Sequence, residues 1–354
     1  MSLVIHTDLC AIAHNIAQVR QLLGKAGLVF MVKADAYNHG MIQVAAHTEP
    51  LADKFGVAYA AEAAALRKAG IKKPIMVTAY CPAEAEAIIS CDALPLINSI
   101  DGALALEKQA AIAQKTVLAD VKIDSGMNRY GIKEESEIKE LVRFFSCSEH
   151  VKIRALSTHF YSCLPQNVRE QHNLFLKRAQ PFLEVFGSLP LHMASSGTLE
   201  RCPIFNYDEV RLGMILYGYG VGEAKLNLIP AMSISTEIDL VKTLKKGETT
   251  GYSAAFKAVK DTRIAIIRSG YFEGVDRRYS GGEVIVNGKK AKLIGNISMD
   301  SAIIDLGDIE AEAGDKVIIQ NSELNADYWA RLSGTINYEA LTRFKGRYNR
   351  VFYE

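Results

Sequence analysis

Lys33 closes an apolar run in Phe30-Met31-Val32-Lys33-Ala34-Asp35-Ala36-Tyr37-Asn38-His39-Gly40, where a buried strand is expected to end and a polar loop to begin. A lysine leaving a buried strand can be desolvated, which lowers its amine pKa and makes it a nucleophile toward aldehydes. That is the chemistry by which a protein holds pyridoxal phosphate, although a solvated tip or an ion-pair partner also explains one strand-end lysine. Other polar residues end, follow or lie on further apolar runs. They are Lys122 and Asp124, then Ser125-Gly126-Met127-Asn128-Arg129-Tyr130-Gly131; His159; Ser195-Ser196-Gly197; and Arg211 with Gly213. A second set lies later, in Gly251-Tyr252-Ser253, Gly270-Tyr271-Phe272-Glu273-Gly274, Ile297-Ser298-Met299-Asp300 and Gly334-Thr335-Ile336-Asn337-Tyr338-Glu339. Each is explained singly by capping, ion pairing or rim packing, so the elements that carry them decide what they mean.

Eight short apolar runs, 28–32, 55–58, 74–77, 94–97, 118–123, 153–158, 189–194 and 210–216, alternate with amphipathic stretches such as 61–69, 83–89, 134–145 and 170–186. Buried strands alternating with helices predict a parallel sheet, and eight repeats predict a closed (β/α)8 TIM-like barrel of the α/β class. Barrel enzymes place their chemistry at the carboxyl ends of the strands, a rule that the first set respects: Lys33, Lys122 with Asp124, His159 and Ser195-Ser196-Gly197 end strands, and Arg211 and Gly213 lie on strand eight. The loops after strands seven and eight are the usual phosphate site, where the Ser196 hydroxyl and the amides around Gly213 and Met214 suit phosphate oxygens. After Pro230 the runs 232–244, 263–268, 283–286, 291–294, 302–306 and 316–320 read as strands without long helices between them. Asn287-Gly288 is a two-residue hairpin signal, and 338–344 a short helix. The expected division is a barrel over 1–227 and a C-terminal all-β domain over 228–354.

The chain has 354 residues, 49% hydrophobic and 23% charged, with a formal net charge of +1. No strong field recommends nucleic acid or an acidic membrane as partner, and no apolar run is long enough for a bilayer. Cys10, Cys81, Cys91, Cys147, Cys163 and Cys202 stand singly, without a C-x-x-C pair, which suits a reducing cytoplasm; no secretory pattern is expected. The eight histidines lack H-x-x-x-H spacing, so no metal is expected.

In order along nearly the whole chain, these motifs resemble the alanine racemase family: Val32-Lys33-Ala34-Asp35-Ala36-Tyr37 with His39-Gly40; Lys122-Ile123-Asp124-Ser125-Gly126-Met127 with Arg129; Thr158-His159-Phe160; Arg211 with Gly213 and Tyr217-Gly218; Pro230-Ala231-Met232-Ser233; Gly247-Glu248 with Tyr252; Gly270-Tyr271; Ser298-Met299-Asp300; and Thr335-Ile336-Asn337-Tyr338-Glu339. The resemblance implies pyridoxal 5'-phosphate bonded to Lys33, which also acts as the base on one face of the substrate, with Tyr252 on the other face. It implies Arg211 at the pyridine nitrogen with His159 hydrogen-bonded to it, and Tyr37, Ser196, Gly213, Met214 and Tyr338 at the phosphate. Arg129 and the Met299 amide would take the substrate carboxylate, and Lys122 is a candidate for carbamylation. It further implies a head-to-tail homodimer in which Tyr252 and Met299 come from the partner subunit, and D-alanine supply for peptidoglycan precursors. A serine or broad-specificity racemase is the alternative. A decarboxylase of similar architecture fits Arg211 poorly, and a non-catalytic cofactor carrier would not need the β domain.

The chain departs from the family pattern in several places. Asn38 and Ser253 stand where glycine is common, Ser195 for asparagine and Leu212 for proline; the run Gly270 to Val275 also differs. Leu164 and Asn296 replace an aspartate and an arginine that meet at the entrance to the site. Loss of both halves avoids leaving one charge unpaired, and predicts a wider or less polar entrance.

Overall fold

The computed structural model describes residues 3–222 and 224–354, which divide into two compact units. One comprises residues 12–36 and 41–228; the other comprises residues 1–11, 37–40 and 229–354.

The β unit begins with the first strand of the chain, β1 (Leu3–Asp8). The barrel strands follow as β2 (Gly27–Met31), β3 (Lys54–Val57), β4 (Ile75–Val77), β5 (Leu94–Ile97), β6 (Val117–Lys122), β7 (Val151–Ser157), β8 (Leu191–His192) and β9 (Glu209–Leu212). They pair in parallel in sequence order, and β9 returns to β2 with Val29 opposite Arg211, so the barrel closes. Most of their Val, Ile, Leu and Phe side chains, which favour a pleated surface, are buried, as a helix-covered parallel sheet requires, while Leu118 on β6 is 47% exposed. Helix starts are marked in the sequence. Ser99 accepts the Gly102 amide before the helix Ile100–Ala113, and Pro165 opens the helix Pro165–Phe186.

The remaining strands are β10 (Met232–Leu244), β11 (Thr249–Thr250), β12 (Phe256–Lys257), β13 (Thr262–Ile267), β14 (Glu283–Val286), β15 (Lys289–Ile294), β16 (Ala302–Asp305), β17 (Lys316–Gln320) and β18 (Tyr348–Tyr353). The main sheet runs β13-β16-β15-β14-β17-β10-β1-β18, and β10 also pairs with β13, so six strands close on themselves. The Asn287-Gly288 turn joins β14 to β15 with both residues at positive φ, as the hairpin signal requires. Trp329 is fully buried in this unit. It stacks on Tyr279 at 4.2 Å and donates Nε1–H to the Ile319 carbonyl at 2.9 Å.

The expected division at 227/228 needs correcting at the amino-terminal side. Leu3–Asp8 belongs to the β unit because it is paired on both sides, antiparallel to β10 and parallel to β18. Residues 37–40 belong there as well. The eighth apolar run, expected to continue to residue 216, stops at Leu212. A 3-10 turn over Met214–Tyr217 follows, closed by Gly218 at φ 98.

Candidate active site

The segment after β2 is a left-handed helical turn. Ala34, Asp35, Ala36, Tyr37 and Asn38 have φ of 52, 55, 54, 52 and 68°. For L-residues this costs roughly 1–2 kcal/mol each, so tertiary bonds must hold it. On the barrel side Glu62 accepts the Ala34 and Ala58 amides, both at 2.7 Å, and the Asp35 carboxylate accepts the Met41 amide at 2.8 Å. Within the β unit the Asn38 amide donates to the Leu341 and Phe344 carbonyls, and Arg350 bonds Asn38 Oδ1 at 3.0 Å. Two departures from the family pattern, Asn38 and Ser253, both lie at positive φ, 68 and 61°. There glycine is the unstrained choice.

The barrel rim gathers Lys33, Lys122, Arg129, His159 and Arg211 close enough to act on one another electrostatically. Burial lowers the Lys33 amine pKa below its ordinary value. Arg129 and Arg211 lower it further, against a rise from Glu62. Lys122 is pushed well below its ordinary range by burial, then by Arg211 and Arg129. His159 is pushed well down by burial and by the cations Lys122, Arg211, Arg129 and Lys33, and so stays neutral. Among the described residues no hydrogen bond or ion pair engages either lysine amine. Both amines are thereby pushed toward the unprotonated, nucleophilic form, in a cationic field suited to phosphate and carboxylate groups.

Arg211 is buried on β9, and burial lowers it to about 10, so it remains a cation at neutral pH. Its hydrogen bonds go to His192 and to the carbonyls of Thr158 and Met193. The expected bond from His159 is thus taken by His192, which sits one strand away on β8. Ser196 is buried at the start of the helix Ser196–Arg201, and its Oγ accepts the Gly213 amide at 3.3 Å. Met214 lies buried beside it in sequence. Arg129 is exposed on the loop after β6. That loop is pinned by the Asp124 carboxylate on the Gly126 amide (2.7 Å) and by Arg178 on the Asp124 carbonyl (2.8 Å). Gly131 lets this loop close: a Cβ there would lie 2.7 Å from the Asp124 nitrogen, at φ 118°.

Tyr37 and Tyr338 meet within the β unit, with ring centroids 6.0 Å apart. Burial raises the Tyr37 pKa, so it stays a phenol. Tyr252 is 71% exposed and Met299 52%. The Asn296 amide donates to the Tyr252 carbonyl at 3.0 Å. Gly270 permits close passage of the Ser298-Met299 backbone, because a Cβ there would lie 2.2 Å from the Ser298 carbonyl oxygen.

The sequence reading missed Glu62, Asp120, Arg154 and His192. The available signal was charge inside apolar strands at a spacing of two, Asp120 with Lys122 and Glu209 with Arg211, which places both members of a pair on one face.

A closed parallel barrel with amines, a buried arginine and a phosphate-type turn at its strand ends, followed by a β unit carrying exposed tyrosine, defines a two-part barrel enzyme. Residues 7–221 match the model of the alanine racemase N-terminal domain and residues 231–352 that of the C-terminal domain. The alanine racemase 1 of Clostridium acetobutylicum is 32% identical over 363 residues, covering 98% of this chain and 94% of that one. The crystal structure of alanine racemase from D-cycloserine-producing Streptomyces lavendulae superposes with a TM-score of 0.95 at 29% identity, over 100% of this chain and 97% of that one. The Bacillus anthracis alanine racemase with bound L-Ala-P gives 0.93 at 28% identity, over 100% and 95%. The chain belongs to the alanine racemase family.

Proposed function

We infer that this chain is an amino-acid racemase that interconverts L- and D-alanine with pyridoxal 5'-phosphate. The observation that carries this reading is family membership over nearly the whole length, joined to an amine at Lys33 whose pKa burial and neighbouring cations lower. The donor set fits the cofactor. Lys33 is a nucleophile for its aldehyde; Ser196 and the Gly213 and Met214 backbone suit its phosphate, with Tyr37 and Tyr338. Arg211 has its Nε–H unspent for the ring nitrogen, with His159 beside it as a neutral neighbour. When bound, the cofactor supplies a conjugated ring that draws electrons from the substrate α-carbon. Arg211 is a cation that does not give up its proton at neutral pH, so it leaves the ring nitrogen unprotonated and limits that withdrawal.

Racemisation removes the α-proton from one face and returns one to the other, which requires two acid–base groups. Lys33 serves one face, its amine in the unprotonated form accepting the proton at Nζ. Tyr252 serves the other through its phenol oxygen. Arg129 and the Met299 amide orient the substrate carboxylate. Lys122 is pushed by burial toward the unprotonated form, which is the one that reacts with carbon dioxide; its carbamate would place a negative charge among Arg129, Arg211 and Lys33. The exposure of Tyr252 and Met299 supports their delivery to a partner's barrel in a homodimer.

Among the described residues no helix is long and apolar enough to cross a membrane. A second reading, a broader substrate range, rests on Leu164, which is 44% exposed in the barrel unit, and on Asn296, which is engaged with backbone in the β unit, each standing where the family pattern has a charge. The test is chiral chromatography of L-alanine, L-serine, L-lysine and L-arginine incubated with protein and cofactor. Strict conversion of alanine supports the first reading and removes the second. No D-product from any of them removes both. Lys33→Ala should also abolish the visible colour of the bound cofactor.

A further inference from the structure

The barrel interior carries a chain of buried charge that ends at Arg211. Lys54 pairs with Glu209 at the amino-terminal end of the strands. Glu209 Oε1 accepts Arg154 Nη1 at 2.6 Å. Arg154 reaches Asp120 with two nitrogens, Nε to Oδ1 at 2.7 Å and Nη2 to Oδ2. Asp120, with no exposed surface, also binds His192 Nε2 through Oδ2 at 3.0 Å. His192 Nδ1 lies 2.6 Å from Arg211 Nη1. Five strands, β3, β6, β7, β8 and β9, supply one link or more.

The donors and acceptors along this chain admit one assignment. An ionised carboxylate only accepts, so the hydrogen between Asp120 and His192 sits on Nε2. A guanidinium only donates, so Nδ1 must offer its lone pair to Arg211. An imidazolium would set an N–H against an N–H at 2.6 Å, beside a permanent cation. The same bonds account for the hydrogens of Arg211: Nη1 donates to His192 Nδ1 and to the His192 carbonyl (3.0 Å), and Nη2 to the Thr158 and Met193 carbonyls. Only Nε–H remains.

We propose that Asp120 is a positioning residue. Its carboxylate fixes His192 as the neutral Nε2–H tautomer, and His192 then holds Arg211 with both terminal nitrogens spent and Nε–H as the donor toward the pyridine nitrogen. Arg154, Glu209 and Lys54 keep Asp120 ionised and aligned. The groups facing His192 are Asp120 on β6 and Glu209 and Arg211 on β9. Burial and Arg211 lower its pKa against Asp120 and Glu209, which agrees with a neutral ring. Asp120 stays below the ordinary carboxylate range despite burial, through His192 and Arg154. The arrangement follows a general pattern in which a buried acid sets the tautomer of a histidine that serves a third group.

The proposal rests on the racemase reading for its purpose, but its first test does not need activity. Long-range proton–nitrogen NMR on histidine-labelled protein, with and without pyridoxal phosphate, should show His192 as Nε2–H, with a downfield Nε2–H proton and no titration between about pH 5.5 and 9. A titrating His192, or the Nδ1–H form, overturns the proposal. His192→Gln assigns the signal. In Asp120→Asn the downfield shift should be lost, the visible band of the bound cofactor should move, and kcat for alanine should fall about tenfold or more with KM within about twofold. Unchanged ring signals and kcat in that variant also overturn it. If the variant does not fold, the native spectrum still decides. A chain that takes up no cofactor would fail the racemase reading while leaving the His192 tautomer measurable.

Discussion

Replacing Arg154 by methionine removes the centre of the buried charge chain. Arg154 bridges two carboxylates, Asp120 with no exposed side-chain surface and Glu209 with 11%. Removing one partner of a buried pair typically costs about 3–5 kcal/mol, because the remaining charge is left uncompensated. Here the loss is unequal. Glu209 keeps Lys54, whereas Asp120 keeps only a neutral His192. The expected destabilisation is therefore near the lower end, about 3 kcal/mol, and nearly all of it belongs to Asp120. The sign with pH follows. In the native chain Asp120 and Glu209 are held below their ordinary values, so their contribution is full above the unfolded pKa values of about 3.9 and 4.3 and is lost as pH falls through the folded ones. In Arg154→Met burial acts on Asp120 with little opposition and raises its pKa, so its penalty grows as pH rises. The gap between the two proteins should be wide at about pH 7 and narrow toward about pH 4. Urea unfolding followed by circular dichroism reads the barrel helices; fluorescence of Trp329 would report the β unit instead. A loss below about 1 kcal/mol, or a gap independent of pH, refutes the reasoning.

Other outcomes follow from the same geometry. Tyr252→Phe should retain the cofactor's colour and lose about 10²- to 10⁴-fold in racemisation, measured by chiral chromatography. Because Lys33 is lowered from its ordinary 10.5, cofactor capture by the cofactor-free protein should rise with pH and level off below that value, as followed by stopped-flow absorbance. Gly131→Ala forces a Cβ against the Asp124 nitrogen, at about 1–3 kcal/mol, and should displace Arg129. The expected result is a raised KM for alanine in steady-state kinetics.

The barrel was legible because its eight strands are short apolar runs, and five of them carry or end in polar residues whose shared rim position capping or ion pairing explains only one at a time. Lys33, Lys122, His159 and Arg211 were legible on the same ground, and their mutual influence on the rim agrees with it. Three features were not. Leu3–Asp8 alternates as Leu-Val-Ile-His-Thr-Asp and is too short to announce which sheet it joins; its partners lie more than two hundred residues away. The left-handed turn has no glycine between Ala34 and Asn38, so its sequence gives no sign of positive φ; bonds from Glu62 and Leu341 hold it. His192 was hidden because a histidine near the end of a two-residue strand carries no mark of its neighbours Asp120 and Arg211.

Pairing Leu3 with Tyr348 and Ile5 with Arg350 has a consequence for biosynthesis. β1 waits for β18 on one side, while each barrel strand from β3 to β8 finds both neighbours next to it in sequence and only β2 waits for β9. The sheet can therefore be completed only late in translation, after the barrel has had the opportunity to close. Until then β1 can pair with β10 alone, and a chain stalled before residue 348 leaves its other side open to pairing with another molecule.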